Sequence, residues 1–356
     1  MRTMLRTLSM LFFVAAVVFL LVVAAAPASM SGFGYAVSLV LFAGAGLPKD
    51  ARARRRLLAA SFALSGITVS ARMGFAANGR TLTMGTPAPG ATSSRWIDRV
   101  IDEQDLAING ARALLWTSFV HDPDVPALPA VMRGAYARMR DAEGATPSPV
   151  LATYSGLEAP GADDTVELGD VSGSASEGVV VFLHGYAGSF TLPCWVLSRA
   201  ALDAGFATVC PSTRWVGDWW TSDGEATLRE TLAGLRRRGA SRIVLAGLSN
   251  GAIGATLLAP KLHGSIDSLI LISGASPEAE APGVPVLAIQ GAHDAQISAS
   301  VVRAYAGRVR GRYLSLDAGH FAMLVREREA MGAVTSFLRS RSAVPAPANA
   351  RTAARP

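Results

Sequence analysis

The chain has 356 residues and is 50% hydrophobic, so it is long enough for more than one compact domain. Its net charge of +6 is unevenly spread: residues 1–80 carry nine Lys and Arg against one Asp, and the tail from Arg339 carries four Arg and no acid. Residues 81–338 are therefore acidic overall. A nucleic-acid-binding protein places its basic surface on the folded domain, so this distribution argues against nucleic acid as a partner.

The chain begins with apolar stretches typical of a membrane segment, which we assign to residues 1–78. Residues 8–26 form an uncharged apolar run after Arg2 and Arg6, and as a helix they span roughly 28 Å, close to the hydrocarbon thickness of a bilayer. A signal peptide is the alternative, because Ala26 and Ala28 occupy the small-residue positions of a cleavage site before Ser29. The length of the run favours a retained helix.

Two further apolar stretches, 33–47 and 57–71, follow on either side of a basic cluster at 49–56. The positive-inside rule predicts that the first two stretches form a hairpin with both basic ends in the cytoplasm. The third stretch is short for a span, roughly 22 Å, but Arg72 is placed to reach the far interface. If it crosses, the rest of the chain lies outside the cytoplasm, which we favour; if it lies in the interface, the rest is cytoplasmic.

Residues 79–94 are rich in Gly, Pro, Thr and Ser and predict a linker. Residues 95–147 then show apolar residues at helical spacing over 95–119 and again over 126–140. This helical region is either a cap over a functional site or a spacer packed on the flank of the next domain, and we favour the spacer. Residues 341–356 predict a disordered basic tail.

Residues 148–340 alternate between short β-branched runs and helix-forming segments, which predicts an α/β domain with a mostly parallel sheet and helices on both faces. The predicted parallel strands lie at 178–183, 206–210, 243–246, 268–272, 284–290 and 313–316. Residues 149–154 and 165–168 predict an antiparallel strand pair that opens the domain.

The strand at 243–246 runs into a G-x-S-x-G pattern formed by Gly247, Ser249 and Gly251, and helix-forming residues follow at 253–258. A serine nucleophile at such a junction stands on a tight strand-to-helix turn, where a Cβ on either flanking glycine would collide with its neighbours. The N-terminus of the new helix also favours a developing oxyanion. In this context the pattern predicts a nucleophilic serine rather than a turn that lets a helix pack closely on a sheet.

A serine hydroxyl needs a positioned base, and the base needs a group that orients it. Asp294 and His320 each follow a predicted strand at the edge where Ser249 is exposed, so we expect these two partners. Asp317 is the rival acid, three residues before His320. The chain has five histidines; besides His320 and His184, the remaining three, His121, His263 and His293, are expected to be surface residues.

Upstream, the strand at 178–183 leads directly into His184, Gly185 and Gly188 of an H-G-x-x-G loop. Over residues 149 to 340, this loop, the serine turn and the order Ser, Asp, His resemble the α/β-hydrolase superfamily of serine hydrolases. Barely a dozen residues separate the strand at 268–272 from the next one, so the chain has no room for the lid that many members insert there. His184 is expected to shape the loop rather than to transfer a proton.

The resemblance implies Ser249 as nucleophile, His320 as general base and Asp294 as the acid that orients it. It also implies an oxyanion hole made by the backbone N–H groups of Tyr186 and Asn250.

Three tryptophans, Trp215, Trp219 and Trp220, follow the strand at 206–210. They are expected either to wall a hydrophobic substrate pocket or to pack beneath a long loop. No Walker A, HExxH or paired CxxC pattern occurs, so we expect no nucleotide cofactor and no metal.

These features predict a membrane-anchored serine hydrolase that cleaves carboxylic esters or thioesters, including lipid-derived ones, through an acyl-enzyme. A peptidase or amidase with the same residues and a non-catalytic scaffold are the alternatives. Cys194 and Cys210 belong to adjacent βα units and are close enough in the implied fold for a disulfide. A reduced pair is the slightly favoured state.

Overall fold

The computed structural model describes residues 2–25, 29–85, 94–117, 120–171 and 176–342. The small residues at 26 and 28, part of the predicted linker and most of the predicted tail lie outside these ranges. Eight strands form one sheet in the order β1-β2-β4-β3-β5-β6-β7-β8. Their bounds are Leu82–Gly85 (β1), Thr165–Leu168 (β2), Gly178–Leu183 (β3), Phe206–Pro211 (β4), Ile243–Leu248 (β5), Ser268–Ile272 (β6), Val286–Gly291 (β7) and Arg312–Leu316 (β8).

Strands β3 to β8 are mutually parallel, and β1 and β2 run antiparallel at one edge. The helices are Arg2–Ala25 (α1), Met30–Gly44 (α2), Ala51–Phe75 (α3), Glu103–Thr117 (α4), Leu128–Glu143 (α5), Val150–Tyr154 (α6), Thr191–Leu202 (α7), Ser222–Arg237 (α8), Asn250–Leu258 (α9), Ala299–Arg308 (α10), Ala322–Val325 (α11) and Glu327–Ser342 (α12).

The central strands are buried on both faces because helices cover each side of the sheet. Along β3, Val180 and Phe182 pack in the cluster that contains α7 and α12, whereas Val179 and Val181 pack in the cluster that contains α8, α9 and α10. This burial explains why the strands are nearly continuous apolar runs rather than alternating ones. The predicted mostly parallel sheet with helices on both faces is confirmed, and its strand order is that of the α/β-hydrolase fold.

Of the two strands predicted to open the domain, the one at 165–168 is present, but the prediction of a strand at 149–154 is wrong. Residues 150–154 form helix α6, in which Thr153 donates backbone and side-chain hydrogen bonds to the Pro149 carbonyl at 2.9 and 2.8 Å. Strand β2 is antiparallel to both of its neighbours, β4 and β1, and β1 lies inside the predicted linker, with Leu82 opposite Leu168. A proline before the segment provides a helix start, and only sheet pairing makes the four residues of β1 a strand.

Helices α1, α2 and α3 pack consecutively against one another. Residues 7–24 and 51–75 are long and apolar enough to cross a bilayer, whereas α2 is shorter. The start of α2 contacts the helical region, since the Ser29 N–H donates to Asp105 at 2.8 Å. At the far end of α3, the Arg72 guanidinium donates to the carbonyls of Ile101 and Thr146 at 3.1 and 3.0 Å. Arg72 is therefore held by the protein and not, as expected, by an interface.

The helical region 95–147 is joined to the sheet domain by buried polar contacts. The Glu103 carboxylate at the start of α4 accepts hydrogen bonds from the backbone of Thr191 and Leu192 at 2.8 and 3.0 Å. It thereby satisfies free N–H groups at the N-terminus of α7, the helix that follows the H-G-x-x-G loop.

Candidate active site

Ser249 lies between β5 and α9 with φ 54° and ψ −119°, a conformation that costs energy for a residue with a side chain. The glycines around it have no room for a Cβ. A Cβ on Gly247 would overlap the Gly251 carbonyl, and one on Gly251 would overlap the Leu183 carbonyl of β3. The turn is thus the tight strand-to-helix junction predicted from the pattern, and it presents the Ser249 hydroxyl at the carboxyl edge of the sheet.

His320 lies between Ser249 and Asp294. Its Nε2 is 2.9 Å from Ser249 Oγ, and its Nδ1 is 2.8 Å from Asp294 Oδ2. The side chains of His320 and Asp294 are 7% and 0% exposed, so the pair is shielded from water. This geometry suits an imidazole whose Nδ1–H is donated to the carboxylate, which leaves Nε2 free to accept the serine proton.

Asp294 is kept ionised by its hydrogen bonds. Burial alone would raise its pKa, but the His320 ring and the backbone N–H groups of Ile297 and Gln296 outweigh burial and lower it. The two backbone donors lie 2.9 and 2.8 Å from Oδ1, and the Gln290 amide donates to Oδ2 at 2.7 Å. The carboxylate therefore has a fixed orientation as well as a fixed charge.

The rival acid Asp317 faces away from this group. Its carboxylate is 81% exposed and lies 3.1 Å from His293 Nε2 and 4.0 Å from Arg326. His121 and His263 are also exposed. The structure thus brings Asp294, and not Asp317, to the histidine beside the serine.

The H-G-x-x-G loop packs directly on the serine turn. A Cβ on Gly185 would come within 3.0 Å of the Ser249 Cβ and 2.9 Å of the Leu248 carbonyl. Within the described part of the chain, the backbone N–H groups of Tyr186 and Asn250 donate no hydrogen bond. Two free donors beside the serine are what an oxyanion hole requires.

His184 holds this loop in place. Its ring is buried between two backbone groups, with Nδ1 2.8 Å from the Gly185 carbonyl and Nε2 accepting from the Thr213 N–H at 3.2 Å. Burial, partly opposed by these hydrogen bonds, lowers the pKa of His184 to about 4. The ring is therefore neutral near pH 7 and is occupied on both nitrogens. Farther along the loop, Ala187 and Gly188 both have positive φ, of 79° and 99°.

The three tryptophans separate into different roles. Trp219 is completely buried and its indole N–H donates to the His184 carbonyl at 3.0 Å, so the expectation that it walls a pocket is wrong. Trp215 and Trp220 are each 40% exposed. Trp215 stacks on Tyr154 at 6.2 Å and meets the exposed Tyr186 ring edge-on at 5.1 Å. These three rings, Tyr154, Tyr186 and Trp215, form an aromatic cluster next to the candidate oxyanion hole.

Two acids that sequence reasoning did not single out hold the histidine loop. Asp122 Oδ2 accepts from the His320 backbone N–H at 2.7 Å, and Asp124 Oδ2 accepts from the Phe321 N–H at 3.0 Å. Both carboxylates are buried although they come from the helical region, about 200 residues earlier. The only signal in the sequence was an Asp-Pro-Asp turn between two predicted helices, which reads equally well as a helix start.

Cys194 and Cys210 form a disulfide, so the favoured expectation of a reduced pair is wrong. The first turn of α7 and the end of β4 are neighbours at the carboxyl edge of the sheet, and the two Cα atoms are 6.3 Å apart. The bridge joins the element after the H-G-x-x-G loop to the strand that precedes the tryptophan loop.

Neither a protein-family model nor a curated protein matches the chain. Among solved structures, Est1E from Butyrivibrio proteoclasticus matches at 15% identity with a TM-score of 0.45, over 51% of this chain and 96% of that one. An α/β serine hydrolase without lid from Xanthomonas campestris matches at 22% identity and 0.43, over 53% and 93%. The Pyrococcus furiosus esterase Pf2001 matches at 17% identity and 0.43, over 51% and 90%.

Proposed function

We propose that this protein is a membrane-anchored serine hydrolase that cleaves carboxylic ester or thioester bonds through an acyl-enzyme. The observation that carries the proposal is the hydrogen-bonded series Ser249, His320 and Asp294, with distances of 2.9 and 2.8 Å, on a strained strand-to-helix turn. Such strain persists only where the surrounding structure imposes it, and it is concentrated at functional sites.

In the first step, His320 Nε2 takes the proton of Ser249 as Oγ attacks the carbonyl carbon of the substrate. The ring becomes imidazolium, which the ionised Asp294 stabilises through Nδ1–H. Collapse of the tetrahedral intermediate breaks the bond to the leaving group, and His320 returns the proton to that group. Water activated by the same nitrogen then attacks the acyl-enzyme, and the acid is released as Ser249 recovers its proton.

The negative charge of each tetrahedral intermediate requires donors that are already in position. The unpaired N–H groups of Tyr186 and Asn250 supply them, and the dipole of α9 points its positive end at the same place. Loss of one such donor costs a hydrolase roughly a hundred- to a thousand-fold in rate. The close contact of Gly185 with the turn is therefore part of the proposed catalytic machinery, because it fixes the donors beside Ser249.

The side of the membrane that we propose for the catalytic domain is supported by which helix ends contact the helical region packed on it. Contacts to the helical region 95–147, which is hydrogen-bonded to the catalytic domain, come from Ser29 at the start of α2 and from Arg72 near the end of α3. The basic residues Arg2, Arg6 and the cluster at 49–56 lie at the opposite helix ends. With those basic ends in the cytoplasm, the catalytic domain lies outside it. The disulfide supports the same side, since such bonds persist in oxidising compartments.

The test uses full-length protein in detergent and a fluorophosphonate probe, which reacts with activated serines. We expect one labelled serine, loss of labelling and of ester turnover in Ser249→Ala, and neither loss in Ser155→Ala, which removes an exposed hydroxyl. A series of p-nitrophenyl esters of increasing chain length, with a peptide anilide beside it, identifies the bond that is cleaved. Wild-type protein that neither labels nor turns over any ester contradicts the proposal, and turnover of the anilide alone assigns a peptidase.

A further inference from the structure

A groove of about 550 Å³ lies between α1 and the helical region, away from the candidate active site. One wall consists of Val18, Leu21 and Val22 in the second half of α1, and the other includes Leu115 and Trp116 at the end of α4. Small-molecule sites in proteins enclose about 300–1,000 Å³, so the groove has the size of a ligand site.

Two arginines also line this mostly apolar groove, Arg112 from α4 and Arg133 from α5. Neither guanidinium has a hydrogen bond or an ion pair within the described residues, and the Nε of Arg133 is buried without a partner. Asp122 and Asp124, which lie between the two arginines in the chain, accept hydrogen bonds from the histidine loop instead. A buried donor without an acceptor is costly, so the groove is suited to an anion that supplies oxygen atoms.

The groove borders the segment that is apolar enough to cross a bilayer. Its α1 residues fall in the last two turns of the 7–24 span, and Val18 and Leu21 are 53% and 62% exposed. Trp116 on the opposite wall is 62% exposed, and tryptophan is enriched at the level of the lipid head groups. The groove therefore extends from the hydrocarbon towards the head-group layer on the side where the catalytic domain lies.

We infer that this groove binds one anionic phospholipid, with its phosphate between Arg112 and Arg133 and its acyl chains along Leu21, Val22 and Leu115. Guanidinium groups bind phosphate through paired N–H donors. Among the described residues, the groove is lined by two arginines and by no acid, so it offers no partner for the ammonium group of a zwitterionic head group. This charge pattern favours an anionic head group. The inference rests on the membrane attachment proposed above and is independent of the serine chemistry.

The experiment measures lipid binding to delipidated full-length protein by native mass spectrometry in detergent, with phosphatidylglycerol, phosphatidylcholine and inorganic phosphate as separate probes. We expect phosphatidylglycerol to bind about tenfold or more tightly than phosphatidylcholine, and the variant Arg112→Gln/Arg133→Gln to lose at least about tenfold of that affinity. Ala130→Trp, at an exposed position in the groove, keeps both charges but blocks the acyl chains. Arg138→Gln is the matched control, since its guanidinium already pairs with Glu327.

Equal binding of the two lipids, undiminished binding by the double variant, or tight phosphate binding that survives Ala130→Trp would each overturn the inference. So would an intact mass showing that the native protein lacks α1. Thermal unfolding of each variant confirms that it is folded. Because Ser249→Ala leaves the groove untouched, lipid binding by that variant separates a failure here from a failure of the proposed hydrolase activity.

Discussion

Asp122 offers a sharp test of how the helical region supports catalysis. Its buried carboxylate accepts the backbone N–H of His320 at 2.7 Å and leaves Gly319 no room for a Cβ. Asp122→Ala leaves the buried His320 N–H without an acceptor and frees the loop that carries the proposed base. Because Asp122 does not touch the imidazole, it acts as a positioning residue.

The size of the effect follows from the type of hydrogen bond. A hydrogen bond to a charged group contributes about 1.5–3 kcal/mol. If the whole of this free energy is lost from the positioning of His320, the activation barrier rises by the same amount. At about 1.4 kcal/mol for each factor of ten, kcat then falls by roughly 10- to 100-fold. KM should change little, because the substrate contacts remain. In Asp122→Asn the amide oxygen still accepts the N–H, so most of the rate should return.

The assay is steady-state hydrolysis of a p-nitrophenyl ester well below the unfolding temperature, with thermal unfolding of each variant measured in parallel. Asp141→Ala, which removes an exposed carboxylate from α5, is the control. A normal kcat in Asp122→Ala, or a loss in stability with no loss in kcat, would refute the positioning role. A loss in Asp122→Asn as large as in Asp122→Ala would show that the charge, and not the hydrogen bond, is what matters.

Three further predictions concern other parts of the chain. Asp294→Asn should lower kcat by roughly ten thousand-fold because the imidazole loses its tautomer, while Asp317→Asn stays near wild type; the reverse order would reassign the acid. Replacing Cys194 and Cys210 by Ala opens a loop of 16 residues and should cost about 3 kcal/mol in denaturant unfolding; unchanged stability would contradict this estimate. Burial, and then the neighbouring Asp164, raise the pKa of Asp98, so the folded state binds this proton more tightly than the unfolded state does. The unfolding temperature should therefore fall as the pH rises from about 4, the ordinary range of a carboxyl, towards alkaline values, and Asp98→Asn should flatten that slope; a slope that Asp98→Asn leaves unchanged would count against it.

The sequence by itself determined the architecture of the catalytic domain. Buried parallel strands are continuous apolar runs, so their positions can be predicted from local sequence alone. The serine turn can also be predicted from the sequence, because the turn has no room for a Cβ at positions 247 and 251 and the sequence has glycine at both. Parallel strands end at a common edge, which is why a serine, an acid and a histidine that each follow a strand were expected to meet there.

Only the tertiary structure decided which side chains face which. Asp294 and Asp317 both follow strands near His320 in sequence, and their orientations depend on packing that no local pattern encodes. Trp215 and Trp219 are only four residues apart in the chain. Trp215 is partly exposed and stacks on Tyr154, whereas Trp219 is buried against His184. Strand β1 exists only because β2 offers an edge about 80 residues later. The contact of Asp122 with His320 joins positions 198 residues apart, and such contacts arise when elements pack, not from the residues next to them in the chain.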